Sequence, residues 1–208
     1  MLLQKRPPRA AVTVAESAAP EGLERIRTPG CAAAIWQRRP DPLFHQWLDR
    51  LPADRLPALR AELAVPEVGD AVVRACAASG LADGAGRTRL CRDIADLARR
   101  FSRLMHSPLL RLRLDVIGDD ACRRFHLDNV PARLLCTYRG NGTEYGPAGP
   151  GSRPEPVFRM ARGAVGVFRG QRWPGAEPCG LLHRSPPVAR TDDTRLLLVI
   201  DLAEGVGG

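Results

Sequence analysis

Lysine is almost absent from this chain: of 31 Lys and Arg residues in 208, Lys5 is the single lysine. The net charge of +8 is therefore arginine charge, and it is spread along the chain. Nucleic-acid binders gain affinity where clustered cations release counterions from phosphate. Aromatic residues make up only 5% of the chain, and no RNP-type aromatic strand or recognition helix accompanies the arginines. A nucleic-acid partner is not expected.

Long apolar runs are missing as well. The longest aliphatic run is LLLVI at residues 196–200, far short of the roughly 20 residues a membrane helix needs. The start, MLLQKRPPRAA, has no apolar segment of signal-peptide length. No membrane association is expected, and a cytoplasmic location is the default. The six cysteines (Cys31, Cys76, Cys91, Cys122, Cys136, Cys179) include no CxxC pair. A secreted disulfide framework is thus not expected, and reduced thiols buried as small apolar groups are. No GxSxG elbow is present either, so Ser185, two residues after His183, has no nucleophile motif around it.

What is present divides by periodicity. Residues 1–30 are rich in Ala, Pro, Glu and Arg without a period and read as a flexible arm. Residues 31–108 read as a helical region. Leu43, Phe44, Trp47, Leu48 and Leu51 recur at helix spacing behind an Asp-Pro start, and Leu56, Leu59 and Leu63 extend that stripe. A second helix is expected over 67–79, ending at Gly80. A third carries Leu90, Cys91, Ile94, Leu97, Ala98, Phe101, Leu104 and Met105 on one face with arginines opposite. After Ser107-Pro108 the pattern changes to short strands: LLRLRLDVIG, VPARLLCTYRG, FRMARGAVGVFRG, GLLHRSPP and TRLLLVIDL. Between them NGTEYGPAGPGSRPEP reads as an irregular loop. Five short strands in the region 109–208 suggest a small jelly-roll or cupin-like barrel. The expected fold is α+β, a helical region packed on this barrel.

Two stretches of the strand region carry chemistry, FHLDN at 125–129 and LLHRSPP at 181–187. In extended chain residues i and i+2 share a side, about 6.6 Å apart, so His126 and Asp128 can converge on one ion while Leu127 faces away. A closed barrel brings remote strands together, which allows His183 to join them. Two imidazoles and one carboxylate on one face leave half of an octahedron open, which suits Fe(II), a bidentate cosubstrate and dioxygen.

The order of the surrounding segments resembles the double-stranded β-helix of the iron and 2-oxoglutarate dependent dioxygenases, in particular the prolyl-hydroxylase type. After the HxD pair comes ARLLCTY, with Arg133 and Tyr138. Then follow GNGTEY at 140–145, RGAVGVF at 162–168 and the distal histidine in LLHRSPPV. The resemblance covers residues 110–203 and implies Fe(II) held by His126, Asp128 and His183. It further implies 2-oxoglutarate with its far carboxylate on a basic residue some ten positions after the distal histidine; Arg184 competes for that role, though as the neighbour of a ligand in a strand it points the other way. Arg195, twelve positions after His183, fits that place, with Tyr138 as a second contact; a strand-end arginine also simply reaches solvent. Two departures bear on the cosubstrate: NGTEY lacks the two adjacent glycines of the pattern, and RGAV lacks its aspartate. The whole chain also resembles a bacterial family, a domain of unknown function, that shares the HxDN, CTYRG-GT and HRSPP signatures. Its members are often linked with zinc-regulated metallochaperone GTPases. That resemblance implies a metal-homeostasis partner; the small-molecule or protein substrate stays unassigned.

Two zinc readings stand beside this one. Cys122 and Cys179 each precede a histidine by four positions. In strands that spacing spans roughly 13 Å, too far for ligands that each sit about 2 Å from one zinc. A zinc ion on His126, Asp128 and His183 with water is the stronger alternative, because zinc accepts the same set in a non-catalytic protein. His45 and His106 lie in or beside helical stripes and read as packing or surface residues.

Overall fold

The structure is a computed structural model that describes residues 9–39, 41–118, 124–149, 151–187 and 194–203. Cys122, the first half of the Cys2His2 alternative, lies outside the described residues, as do residues 1–8 of the expected arm.

The expected helices form for the expected reasons. Asp41 caps α1 (Pro42–Arg50), its carboxylate accepting from the Leu43 N–H at 2.9 Å, with Pro42 in the first turn. Helix α2 (Val68–Ala78) gives way to Gly80, whose φ of +68° is a backbone state that favours glycine. The long α3 (Ala85–Met105) buries Leu90, Cys91, Ile94, Leu97, Ala98, Phe101 and Leu104 along one stripe.

The strands are β1 (Thr13–Ser17), β2 (Cys31–Trp36), β3 (Leu59–Ala64), β4 (Leu109–Ile117), β5 (Ala132–Arg139), β6 (Glu144–Pro147), β7 (Phe158–Arg159), β8 (Val165–Arg169), β9 (Leu181–Arg184) and β10 (Arg195–Leu202). Seven of them form a major sheet in the order β1-β2-β8-β5-β10-β4-β3, and three a minor sheet in the order β7-β6-β9. Strand β10 is central and buried on both faces, which is why RLLLVIDL reads as a continuous apolar run. Its neighbour β4 alternates instead, with Leu110, Leu112 and Leu114 buried and Arg111 and Arg113 on the other side.

That alternation sorts the core into two layers. Leu112, Leu134, Cys136, Tyr138, Val167 and Leu198 pack with the helices. Leu135, Phe168, Leu197 and Val199, on the opposite face, pack with Tyr145, Met160 and Leu181 from around the minor sheet. The site lies on this second face, between the two sheets.

Three sequence expectations differ from the structure. Residues 9–30 are not a loose arm: β1 pairs in parallel with β2, and a 3-10 helix over Pro20–Arg27 buries Leu23 and Ile26. The core there is largely alanine (Ala11, Ala15, Ala32, Ala33, Ala34), too small and uniform to show a period. Leu59 and Leu63 do not prolong the first helix. Pro57 intervenes, and LRAEL alternates as β3, paired with β4. The Gly/Pro-rich loop contains β6, because Tyr145 is drawn into the inter-sheet core against Phe158 and Phe168. Residue 108 therefore marks a change of pattern and not a seam, since β1, β2 and β3 all join the major sheet.

Candidate metal centre

His183 sits on β9 at the edge of the minor sheet, where the chain around His126 meets it in an isolated antiparallel bridge. The two residues exchange both backbone hydrogen bonds, each 3.0 Å, and their rings lie 4.8 Å apart centre to centre. Residues so paired present their side chains to one face. Asp128 follows on a loop that the turn at 170–172 grips through its backbone. Gly170 donates to Pro131 O, Gln171 to Asp128 O and Arg172 to Val130 O, at 2.8–3.1 Å. A side chain at Gly170 would strike the carbonyl of Val130 at 2.0 Å and that of Asp128 at 2.8 Å. Glycine there is what lets the loop seat.

The result is convergence. One ligand atom from each of His126, Asp128 and His183 lies within 4.8 Å of the others, with His183 buried and the other two partly so. His183 Nε2 is 2.9 Å from Asp128 Oδ2, and His126 Nε2 is 3.4 Å from Oδ1. Yet Oδ2 is buried without a hydrogen bond among the described residues, so the close approach to His183 lacks N–H···O alignment. Two imidazoles and a carboxylate this close are a donor set that could hold a metal ion. His126 Nδ1 lies 2.9 Å from the Arg124 carbonyl, which can only accept. Nδ1 therefore carries the proton and Nε2 keeps its lone pair toward the trio. His183 Nδ1 has no partner among the described residues.

The charge balance also fits a cation. Burial alone would raise the Asp128 carboxyl, but His126, His183 and Arg133 outweigh it and hold it well below the usual range. Burial lowers the pKa of His183 and so favours the neutral imidazole that binds metal. The Asp128 carboxylate, 3.4 Å away, acts the other way on His126 and raises its pKa. Behind Asp128 stands Arg133 of β5, paired with it and, through two 2.7 Å contacts, with Asp201 of β10. Asp201 was legible as an anomaly, a carboxylate in an otherwise apolar, doubly buried strand that demands a partner.

The two expected cosubstrate contacts part company. Arg195 faces the inter-sheet side and is only 1% exposed. Its Nε donates to Asn141 O at 2.8 Å, Nη1 to Ser185 Oγ at 2.9 Å and Nη2 to Thr137 Oγ1 at 3.3 Å. All three acceptors are neutral, and burial pushes its pKa down to about 10. A buried guanidinium with five N–H donors and no carboxylate partner among the described residues suits an anionic ligand. Gly140, at φ +79°, passes so close that a side chain would meet Arg195 Cγ at 2.6 Å. Tyr138 is elsewhere. By the alternation of β5 it points to the helices with Cys136, donates to Asp93 of α3 at 2.6 Å and packs edge-on against Phe44. Its neighbour Thr137 occupies the site face.

A cavity of about 310 Å³ adjoins the trio, lined by His126 and His183, by Arg133, Thr143 and Ser185, and by Leu135, Leu197 and Val199, with Arg60, Arg113 and Asp115 at its β3–β4 side.

The family model described as protein of unknown function, DUF1826, matches residues 17–201. No curated protein matches the chain in sequence. Among solved structures the chain is similar to dioxygenase for auxin oxidation 1 from Arabidopsis thaliana in complex with 2-oxoglutarate. That match has a TM-score of 0.54 and 10% identity, covering 94% of this chain and 93% of that one. The dioxygenase for auxin oxidation from rice aligns with a TM-score of 0.49 at 15% identity, over 92% of this chain and 82% of that one. The chain therefore shares the fold of the Arabidopsis protein. No described helix is long and apolar enough to cross a membrane.

Proposed function

The chain belongs to the DUF1826 family, and from its site we propose that it is an Fe(II)- and 2-oxoglutarate-dependent oxygenase. The observation that carries this reading is the joint presence of a convergent His126, Asp128, His183 trio and a buried Arg195 with no carboxylate partner among the described residues, on the same side of the major sheet. Either alone has other uses; a metal and an anion holder together match a metal-chelating dicarboxylate.

When bound, Fe(II) with 2-oxoglutarate and dioxygen supplies a hydroxylation of the overall form R–H + 2-oxoglutarate + O2 → R–OH + succinate + CO2. The chain's own residues do the rest. His126 and His183 offer Nε2, and Asp128 one carboxylate oxygen, so three metal positions stay open. Arg133 and Asp201 fix the Asp128 carboxylate so that it need not reorganise on loading. Arg195, oriented by Asn141, Ser185 and Thr137, holds the far carboxylate of the cosubstrate and sets its angle. Leu135, Leu197 and Val199 keep the cavity wall apolar and limit water beside the reacting centre.

The test is anaerobic. Adding Fe(II) and 2-oxoglutarate to the metal-free protein should give a visible metal-to-ligand charge-transfer band, and Arg195→Ala should weaken it. Iron bound without a band would overturn the oxygenase reading. It would leave the same ligands as a zinc site in a protein of metal homeostasis, with a metallochaperone GTPase as its partner.

A further inference from the structure

Strands β3 and β4 place two arginines directly opposite each other. In the antiparallel register Arg60 faces Arg113, while two residues along Glu62 faces Arg111. The second pair is complementary, with its charges 2.9 Å apart. The first is repulsive, and like charges directly opposed on a sheet destabilise it. Among the described residues a single carboxylate, Asp115, lies between them, 3.6 Å from Arg60 Nη2 and 3.6 Å from Arg113 Nη1. Both distances are too long for a hydrogen bond. Among the described residues one anion is thus divided between two cations, and a unit of positive charge is left over.

The placement of this pair is what gives it meaning. Arg60, Arg113 and Asp115 line the same cavity as His126 and His183. By register Arg113 is beside Val199, and Val199 beside Leu135, so the row runs from the arginines across apolar wall toward the trio. From β4 to β5 is two strand spacings, on the order of 10 Å. The other two arginines of the wall already have carboxylate partners: Arg184 donates to Glu144 at 2.7 Å, and Arg133 pairs with Asp128 and Asp201. Arg195 reaches the cavity wall through Ser185, to which it donates at 2.9 Å, and is already assigned to the cosubstrate.

We propose that Arg60 and Arg113 bind the oxyanion head of the substrate, and that the substrate is a small organic acid with an apolar body. Its carboxylate or phosphate sits on the paired guanidiniums, whose planar forks match either group. Its apolar carbons lie along Ile117, Leu197 and Val199 with the far end toward His126 and His183. The head and the carbon presented to the trio are therefore several bonds apart. The class of ligand stands on the arginine pair; its role as substrate rests on the oxygenase reading above.

The test titrates the full-length protein calorimetrically with straight-chain carboxylates from butanoate to octanoate, phenylacetate and phenyl phosphate, and with methyl phenylacetate as the neutral control. The proteins are native, Arg60→Gln, Arg113→Gln and the double variant, with melting temperature as the check on folding. The acids should bind native protein and the ester should not. The double variant should lose affinity by at least about tenfold, the loss expected for charge-assisted hydrogen bonds. Phosphate and carboxylate heads are told apart by comparing phenyl phosphate with phenylacetate. Equal binding of the ester, unchanged affinity in the folded double variant, or no binding by any acid would overturn the proposal. The charge-transfer band of Fe(II) and 2-oxoglutarate, measured on the same proteins, should survive the double substitution. A missing band beside arginine-dependent acid binding would remove the oxygenase reading and leave the anion site standing.

Discussion

His126 and His183 are 57 positions apart in the chain, yet each donates its backbone N–H to the other's carbonyl at 3.0 Å. The ligand geometry is therefore set by a β-bridge and does not depend on side-chain contacts alone. Each of His126→Ala, Asp128→Ala and His183→Ala should cut bound divalent metal to a small fraction of the native content, with backbone pairing and fold retained. His45→Ala and His106→Ala, in the helical layer, should bind as the native protein does. Metal content by elemental analysis with circular dichroism on the same samples decides the matter. Equal metal in all five variants would rule out the trio.

Arg133 binds Asp128 on one side and Asp201 on the other, and the Asp201 side chain is almost fully buried. Removing the arginine leaves two carboxylates without their cation. Arg133→Ala should therefore destabilise the protein by about 3 kcal/mol or more, the usual cost of breaking a buried pair. Metal affinity should fall roughly 10- to 100-fold, as for other groups that orient a ligand. Asp201→Asn keeps the shape and tests the charge: it should cost stability but less metal affinity. Chemical denaturation and competitive metal titration separate the two effects.

The contrast between what the sequence disclosed and what it hid follows side-chain size and period. Helix α3 was legible because a wide stripe of Leu, Ile and Phe alternates with arginine. The trio was legible because i, i+2 spacing and a distant histidine need only two extended segments to meet. Strands β1 and β2 escaped notice because alanine fills their core and carries no period. Strand β3 was misread because Leu56, Leu59 and Leu63 match a helix spacing as well as LRAEL matches a strand, and only pairing with β4 decides between them. The side on which Tyr138 lies depends on the register of β5, which motif order does not specify.

Glu144 on β6 is buried between Arg159 and Arg184, the latter at 2.7 Å. Burial acts to raise its pKa, and the two guanidiniums overcome that and lower it. A carboxylate whose folded pKa is depressed adds stability above its unfolded pKa of about 4.3. That stability is lost as pH falls from there through the lower folded value. The melting temperature of native protein should therefore drop on acidification below this point. In Glu144→Gln, already less stable at neutral pH, the drop should be shallower. Parallel melting curves with the same acid slope would show that the minor sheet is not held by this pair.

Thr137 and Tyr138 are adjacent on β5 and face opposite layers, which makes them a matched pair of probes. Tyr138 donates to Asp93, beside which Arg38 also lies, within the helix-facing core. Tyr138→Phe removes that hydrogen bond and keeps the ring, so it should cost about 1 kcal/mol of stability and leave the Fe(II) and 2-oxoglutarate charge-transfer band as it is in native protein. Thr137→Val is nearly isosteric and deletes the hydroxyl that Arg195 Nη2 reaches at 3.3 Å. The freed guanidinium loses one of its three anchors, so 2-oxoglutarate should bind more weakly and the band should saturate at higher cosubstrate concentration, with metal content unchanged. The opposite pattern, a band lost with Tyr138→Phe and untouched by Thr137→Val, would mean that the cosubstrate approaches from the helical side and that Arg195 does not anchor it.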